Sequence, residues 1–242
     1  MNKIKAFIFS ILWTVIIIAF PVASGVIITV RNVDAIAARL IQAAFMYSSI
    51  AIPFLYCKIK KIMPKEILLT GINKSGIKKC LFFIPLIAVL APMLAYGINL
   101  SGTAYVLATL LFTLGVGISE EIYFRGIILR LLHSNFKVLP TIFLSASIFG
   151  IGHASGAFVE KSPIMVLLSV FNAFLFGWVA VEIALIVKNI VPLMIFHCLF
   201  DFLTYQMLAA GDARIVIYAI RGMLMVIIAI YLLPWKQRSH DL

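Results

Sequence analysis

An apolar run flanked by Lys3 and Lys5 continues without a further charged residue from Ala6 to Val30. About 20 mostly apolar residues cross the hydrocarbon core of a bilayer as a helix. Lipid offers no partner for backbone N–H and C=O groups, so a run of this length crosses only as a helix. The run is too long for the apolar region of a signal peptide and lacks a clear small-residue cleavage site. It reads as a retained transmembrane helix. The pattern recurs, and spans are expected at 6–30, 35–56, 80–98, 103–124, 139–155, 163–187, 190–209 and 214–235. The expected fold is all-α: a polytopic membrane protein of about eight transmembrane helices, with residues 1–242 forming a single integral membrane domain.

Composition supports this class. Mean hydropathy is +1.14, and only 12% of residues are charged, about half of what a soluble domain carries. The formal charge of +11 does not point to nucleic acid, because the basic residues gather in short connections between apolar runs. The connection 57–79 alone holds seven lysines and one glutamate. Basic connections mark the cytoplasmic side. With the amino terminus inside, eight spans place both termini inside and Arg31, Arg39, Lys161 and Arg214 outside. The expected location is a membrane, in a bacterial setting the plasma membrane, with the bilayer as the first partner. Cys57, Cys80 and Cys198 have neither metal-type spacing nor a disulfide framework and read as small buried hydrophobes.

Topology leaves Glu120, Glu121, Arg125, His153, Glu182, His197, Asp201 and Arg221 unexplained. Ionisable groups at membrane depth are costly, need partners, and mark function. In "ISEEIYFRGI" (118–127), Glu121 and Arg125 are four apart and share a helix face. Their pairing leaves Glu120, about 100° away, facing a different side as a candidate general base. In "FGIGH", His153 follows Phe149 by four, and in "HCLFD", Asp201 follows His197 by four. Three chemistries fit this set. They are hydrolysis by a carboxylate-activated water, zinc binding by His153, His197, Glu120 and Asp201, and a proton relay in a transporter.

The ordered motifs E-E-x-x-x-R, F-x-x-x-H and H-x-x-x-N/D, on the fourth, fifth and seventh spans, resemble the CAAX-protease and bacteriocin-processing (CPBP, or Abi) family of intramembrane endopeptidases. The approach "NIVPLMIFHCLFD", with a proline before the histidine, is also similar. The motif-bearing core covers about 103–205. The resemblance implies that Glu120 acts as base on a water, His153 helps hold that water, and His197 stabilises the oxyanion. Glu121 and Arg125 would be the supporting pair. It implies a glutamate mechanism that requires no cofactor, with a zinc-dependent version as the alternative. Asp201 stands where the eukaryotic enzyme has asparagine. An ionised aspartate accepts hydrogen bonds and donates none, so Asp201 would orient His197 or be protonated in a dry site.

The expected function is an intramembrane endopeptidase acting on a precursor peptide or the tail of a membrane protein. Bacteriocin maturation and self-immunity are settings implied by resemblance. The alternative is a non-proteolytic immunity or scaffold protein of the same family. Oligomeric state, substrate and cleavage site are not written in the sequence. Glu182, with Trp178 one turn back, reads as structural pairing or snorkelling. Asn172 reads as an interhelical hydrogen bond, and Arg221 as the partner of a structural or anionic group. One geometric problem stands out. These span limits put Glu120 near the inner end of span four and His153 toward the outer side of span five.

Overall fold

A computed structural model of the protein describes residues 1–71, 80–158 and 162–238. Among these the regular secondary structure is helical, apart from one isolated antiparallel bridge between Ile98 and Met207. The helices follow the order of the expected spans. They are α1 (Lys3–Arg31), α2 (Ala35–Lys60), α3 (Leu81–Tyr96), α4 (Thr103–His133), α5 (Val138–Gly152), α6 (Pro163–Val187), α7 (Val191–Gln206) and α8 (Asp212–Arg238). Six are long and apolar enough to cross a membrane: α1, α2, α4, α5 with the turn after it, α6 and α8. The protein is therefore an all-α, multi-pass membrane protein. The other two expected spans are shorter. α3 is broken into α and 3-10 pieces with prolines at 85 and 92, and α7 has 16 residues. Part of the lysine-rich connection (72–79) and Lys161 lie outside the described residues.

Local sequence explains the helix limits. The Asp34 carboxylate accepts from the N–H groups of Ile36 and Ala37 and starts α2. Asn32, Lys61 and Lys188 end helices in the left-handed conformation at φ 45, 53 and 59. α2 steps at Ile50, which alone falls between the helical segments Ala35–Ser49 and Ala51–Lys60. The Tyr123 hydroxyl donates to the Ser49 carbonyl there at 3.0 Å.

Two groupings of helices build the interior. α4 packs on α2 and α7, and α6 packs on α5 and α8. Close approach is set by glycine. A Cβ on Gly117 would lie 2.6 Å from the Met194 carbonyl oxygen and 2.9 Å from the Cys198 nitrogen, so α4 and α7 touch backbone to backbone. Gly150 and Gly177 do the same for α5 against α6, where a Cβ would meet Phe174 at 2.9 Å and Ala146 at 3.1 Å. The second half of α6 is apolar apart from Glu182 and buried almost throughout from Ala173 to Val187.

α4 carries the main departure from expectation. It does not end at 124 but passes through a π-helical segment, Ile122–Ile128, and on to His133. Continuation past Arg125 is expected from "RGIILRLLHSNFK", but along an interface. Instead Ile122 to Leu129, Leu131 and Leu132 are buried. The longer helix removes the geometric problem. From Glu120 to the end of α4 is about 20 Å at 1.5 Å per residue, and from the start of α5 to His153 about 22 Å. Glu120 and His153 therefore lie at matching heights above the 134–137 turn. The misplaced limit belonged to span four.

The turn before α7 is held by the segment after α2. A 3-10 turn, Pro64–Ile67, is followed by Leu68, whose carbonyl accepts from Ile190 N–H at 3.0 Å. The Thr70 hydroxyl donates to the Lys188 carbonyl at 3.0 Å, and the Asn189 amide donates to the Thr70 carbonyl at 2.9 Å. The Glu66 carboxylate accepts from Met63 N–H at 2.8 Å and from Arg130 at 3.1 Å, tying this segment to the end of α4. Ile67 and Ile190 are both buried beneath it.

Candidate active site

Glu121 is the organising residue. It is fully buried, and its Oε1 accepts from Arg125 Nη1 at 3.1 Å within α4. The same oxygen lies 2.9 Å from His197 Nδ1 on α7. One carboxylate thus links two helices and fixes the His197 ring, with Nδ1 as the N–H that donates to it. The Gly117 contact, one turn before, brings the two backbones close enough for this bond. Asp201 does not play that part. Its Oδ2 is 3.7 Å from His197 Nε2, beyond hydrogen-bond length. The expectation that Asp201 orients His197 is corrected: Glu121 does so, because it is the carboxylate within bonding distance.

Aromatic rings close the brace. Arg125 lies over Phe149 at 4.3 Å and Phe176 at 5.2 Å, a desolvated cation–π arrangement. Phe149 also packs edge-on against Phe124 at 4.7 Å and beside His153 at 4.7 Å. The phenylalanine of "FGIGH" therefore connects the first motif to the second, and Phe176 reaches His197 at 5.0 Å.

Glu120, His153, His197 and Asp201 line one cavity of about 370 Å³. Glu120 Oε2 is 3.9 Å from His197 Nε2 and has no hydrogen-bond partner. His153 stands at the end of α5, with Nδ1 3.0 Å from the Phe149 carbonyl. A carbonyl only accepts, so Nδ1 donates, and in the neutral ring Nε2 keeps its lone pair. The site thus holds an unengaged carboxylate and two ring nitrogens, both Nε2, that are not spent on bracing. Cys198 points away, its Sγ 3.7 Å from Thr113 Oγ1. Cys57 is likewise buried and free.

Among the described residues, no group of three or more His, Cys, Asp and Glu side chains could hold a metal ion. Of the zinc set read from the sequence, His153, His197, Glu120 and Asp201, the two histidines each use Nδ1 in a hydrogen bond, and His197 Nε2 stands 3.9 and 3.7 Å from the carboxylates of Glu120 and Asp201.

Several residues depart from their sequence reading. Asn172 bonds within its own helix, its amide donating to the Leu168 carbonyl at 3.0 Å, and it lines the cavity. Glu182 accepts from Trp178 Nε1 at 3.1 Å, as the spacing suggests, but it is fully buried and does not snorkel. Arg221 reaches the cavity from α8. Its position in an apolar run signals a buried role, but nothing in the sequence says which helix it faces.

A family model described as "Type II CAAX prenyl endopeptidase Rce1-like" matches residues 102–203. The matched region runs from the start of α4 into α7 and carries all three motifs, in agreement with the resemblance read from them. The matched stretch is less than half of the chain, and over it the chain is similar to a CAAX-type endopeptidase. No curated protein matches the chain. No solved structure matches it either.

Proposed function

We propose that the protein is an intramembrane endopeptidase in which Glu120 activates a water for attack on a peptide carbonyl. The observation that carries this reading is the convergence of Glu120, His153, His197 and Asp201 on one cavity from three helices. The family match over the same helices supports it.

In this mechanism the water sits between Glu120 and His153, accepting or donating through Glu120 Oε2 and His153 Nε2. As the water oxygen bonds to the carbonyl carbon, Glu120 takes its proton. The carbonyl oxygen becomes an oxyanion beside His197. Nδ1 is committed to Glu121, so His197 donates to the oxyanion from Nε2, which must carry a second proton. The C–N bond then breaks, and the proton held by Glu120 passes to the leaving amine. Glu121 and Arg125 take no part in proton transfer; they hold His197 before substrate arrives, which is where electrostatic catalysis gains most. Asp201 lines the same cavity and contributes a carboxylate near Nε2. The substrate is a short peptide or a membrane-protein tail that reaches the cavity within the bilayer.

The test is a proteomic comparison of membranes holding wild-type and Glu120→Gln protein. Substrates should accumulate uncut with the variant. Identical cleavage products in the two samples would overturn the reading.

A further inference from the structure

Asn172 is a polar group that the fold leaves half used. It lies 4% exposed in the middle of the largely apolar helix α6. Its side-chain nitrogen donates to the Leu168 carbonyl at 3.0 Å, one turn back in the same helix. Its Oδ1 is buried and has no hydrogen-bond partner among the described residues. The Leu168 carbonyl already accepts from the Asn172 backbone N–H in the α-helical pattern, so the side-chain bond meets no need of the backbone. An asparagine in an apolar membrane helix ordinarily bonds to a neighbouring helix. Here the residue that faces the amide from α8 is Gly222, which brings no side chain; a Cβ there would lie 3.9 and 4.0 Å from the two amide atoms. A buried acceptor without a donor is costly, and the fold gains nothing from this one.

Asn172 lines the cavity with Ser169, Ala173 and Phe176, which form one stripe of α6. Two contacts set its height. A Cβ on Gly150 would touch Val170 and Phe174, so Asn172 is level with the last turn of α5, which His153 caps. One turn further along α6, Phe176 packs on the His197 ring at 5.0 Å. Asn172 therefore stands about 6 Å along α6 from the level of His197. An extended peptide covers that distance in about two residues.

We infer that Asn172 binds the substrate main chain, its Oδ1 accepting one peptide N–H about two residues from the bond that is cut. The inference rests on the peptidase reading and deepens it. A peptide drawn into this cavity leaves behind the water that satisfied its N–H groups, and an acceptor on the wall returns one of those bonds. The Nδ2 bond to Leu168 sets the plane of the amide, so the oxygen is oriented before substrate arrives. A main-chain contact of this kind reads extended backbone and not side chains. It rejects proline at that one position, because proline has no N–H.

Binding is measured on full-length Glu120→Gln protein in phosphatidylcholine nanodiscs, using N-palmitoylated heptapeptides randomised in their side chains. One set has amide links throughout. In the others a single amide, at each position in turn, is replaced by an ester, which removes the N–H and changes the shape little. At one position the ester should weaken binding about fivefold, the worth of one hydrogen bond. With Asn172→Leu added, the all-amide set should bind weaker by a similar factor, and the ester at that position should cost nothing more. Asn172→Asp keeps an acceptor oxygen and should retain the sensitivity. An ester that costs the same with and without Asn172 overturns the inference, and so does all-amide binding unchanged by Asn172→Leu, or no binding of any set. A purely structural asparagine would behave differently: Asn172→Leu would lower the unfolding temperature and weaken every set alike, which also overturns it. The expected unfolding temperature is no lower than that of Glu120→Gln. Glu120-dependent cleavage without the coupling at Asn172 would sink this inference alone, and the coupling without Glu120-dependent cleavage would sink the peptidase reading alone.

Discussion

Glu121 holds His197: its Oε1 lies 2.9 Å from the ring Nδ1 while also accepting from Arg125 at 3.1 Å. All three groups are buried, at 0%, 3% and 1% exposure. Removing the shared carboxylate strands a buried arginine, and breaking a buried pair in this way costs about 3–5 kcal/mol. Glu121→Ala should therefore lower the thermal unfolding temperature sharply in detergent or nanodiscs. Glu121→Gln keeps an acceptor oxygen and should lose less. A Glu121→Ala protein as stable as wild type would show that the brace is not structural.

The neighbouring glutamate should behave in the opposite way. Glu120 has no hydrogen-bond partner at Oε2 and stands 3.9 Å from His197. Replacing it disturbs no brace. Glu120→Gln should unfold within a degree or two of wild type, while turnover falls by about 10²–10⁴-fold, the usual contribution of a general base. Thermal unfolding and single-turnover cleavage on the same samples separate the two effects. Retained turnover would remove Glu120 from the mechanism.

Adjacent glutamates with such different parts show what the sequence could and could not convey. The i, i+4 spacing was enough to pair Glu121 with Arg125 and leave Glu120 apart, because that geometry is local. The bond from Glu121 to His197 joins residues 76 apart, and no periodicity encodes it; Asp201 at i+4 stands 3.7 Å from the other ring nitrogen. Span four reads as 103–124, with an amphipathic continuation along the interface past Arg125. Here Phe149 and Phe176 shield it, so α4 runs on, and the height of His153 follows from that. Hydropathy located every helix but could not show that α3 is broken or that α7 starts at a turn buried under residues 64–70. The cavity-facing side of Arg221 depends on how α8 packs on α6, a tertiary fact.

Glycine at 117 should be irreplaceable. An added Cβ would lie 2.6 Å from the Met194 carbonyl and 2.9 Å from the Cys198 nitrogen. These are backbone atoms, which cannot rotate aside, so α7 must move. His197 lies between those two contacts in sequence and moves with them. Gly117→Ala should cost about 1–3 kcal/mol through overpacking and reduce turnover, since the His197–Glu121 bond stretches. Gly25→Ala is the control: nothing lies within 4 Å of its Cβ position, so it should change neither quantity. Wild-type turnover in Gly117→Ala would mean that α7 can shift without disturbing the site.

The last prediction concerns acid. Glu66 lies outside the spans, and its carboxyl is held below the ordinary 4.5, first by the Met63 N–H and then by the Arg130 guanidinium. A carboxyl lowered on folding adds stability that is fully present above its unfolded value and is lost as pH falls through its folded value. Wild type should therefore unfold at a higher temperature than Glu66→Gln at pH 7, and the gap should close on acidification below 4.5. Both groups of the Glu66–Arg130 pair are about one-third exposed, so the gap should be small and should shrink with added salt. Its consequence reaches the site, because the residues after Glu66 bond the turn that launches α7. Glu66→Gln should loosen that turn, seen as faster amide exchange at Ile190. A gap that widens in acid would mean that Glu66 is not held by these two donors.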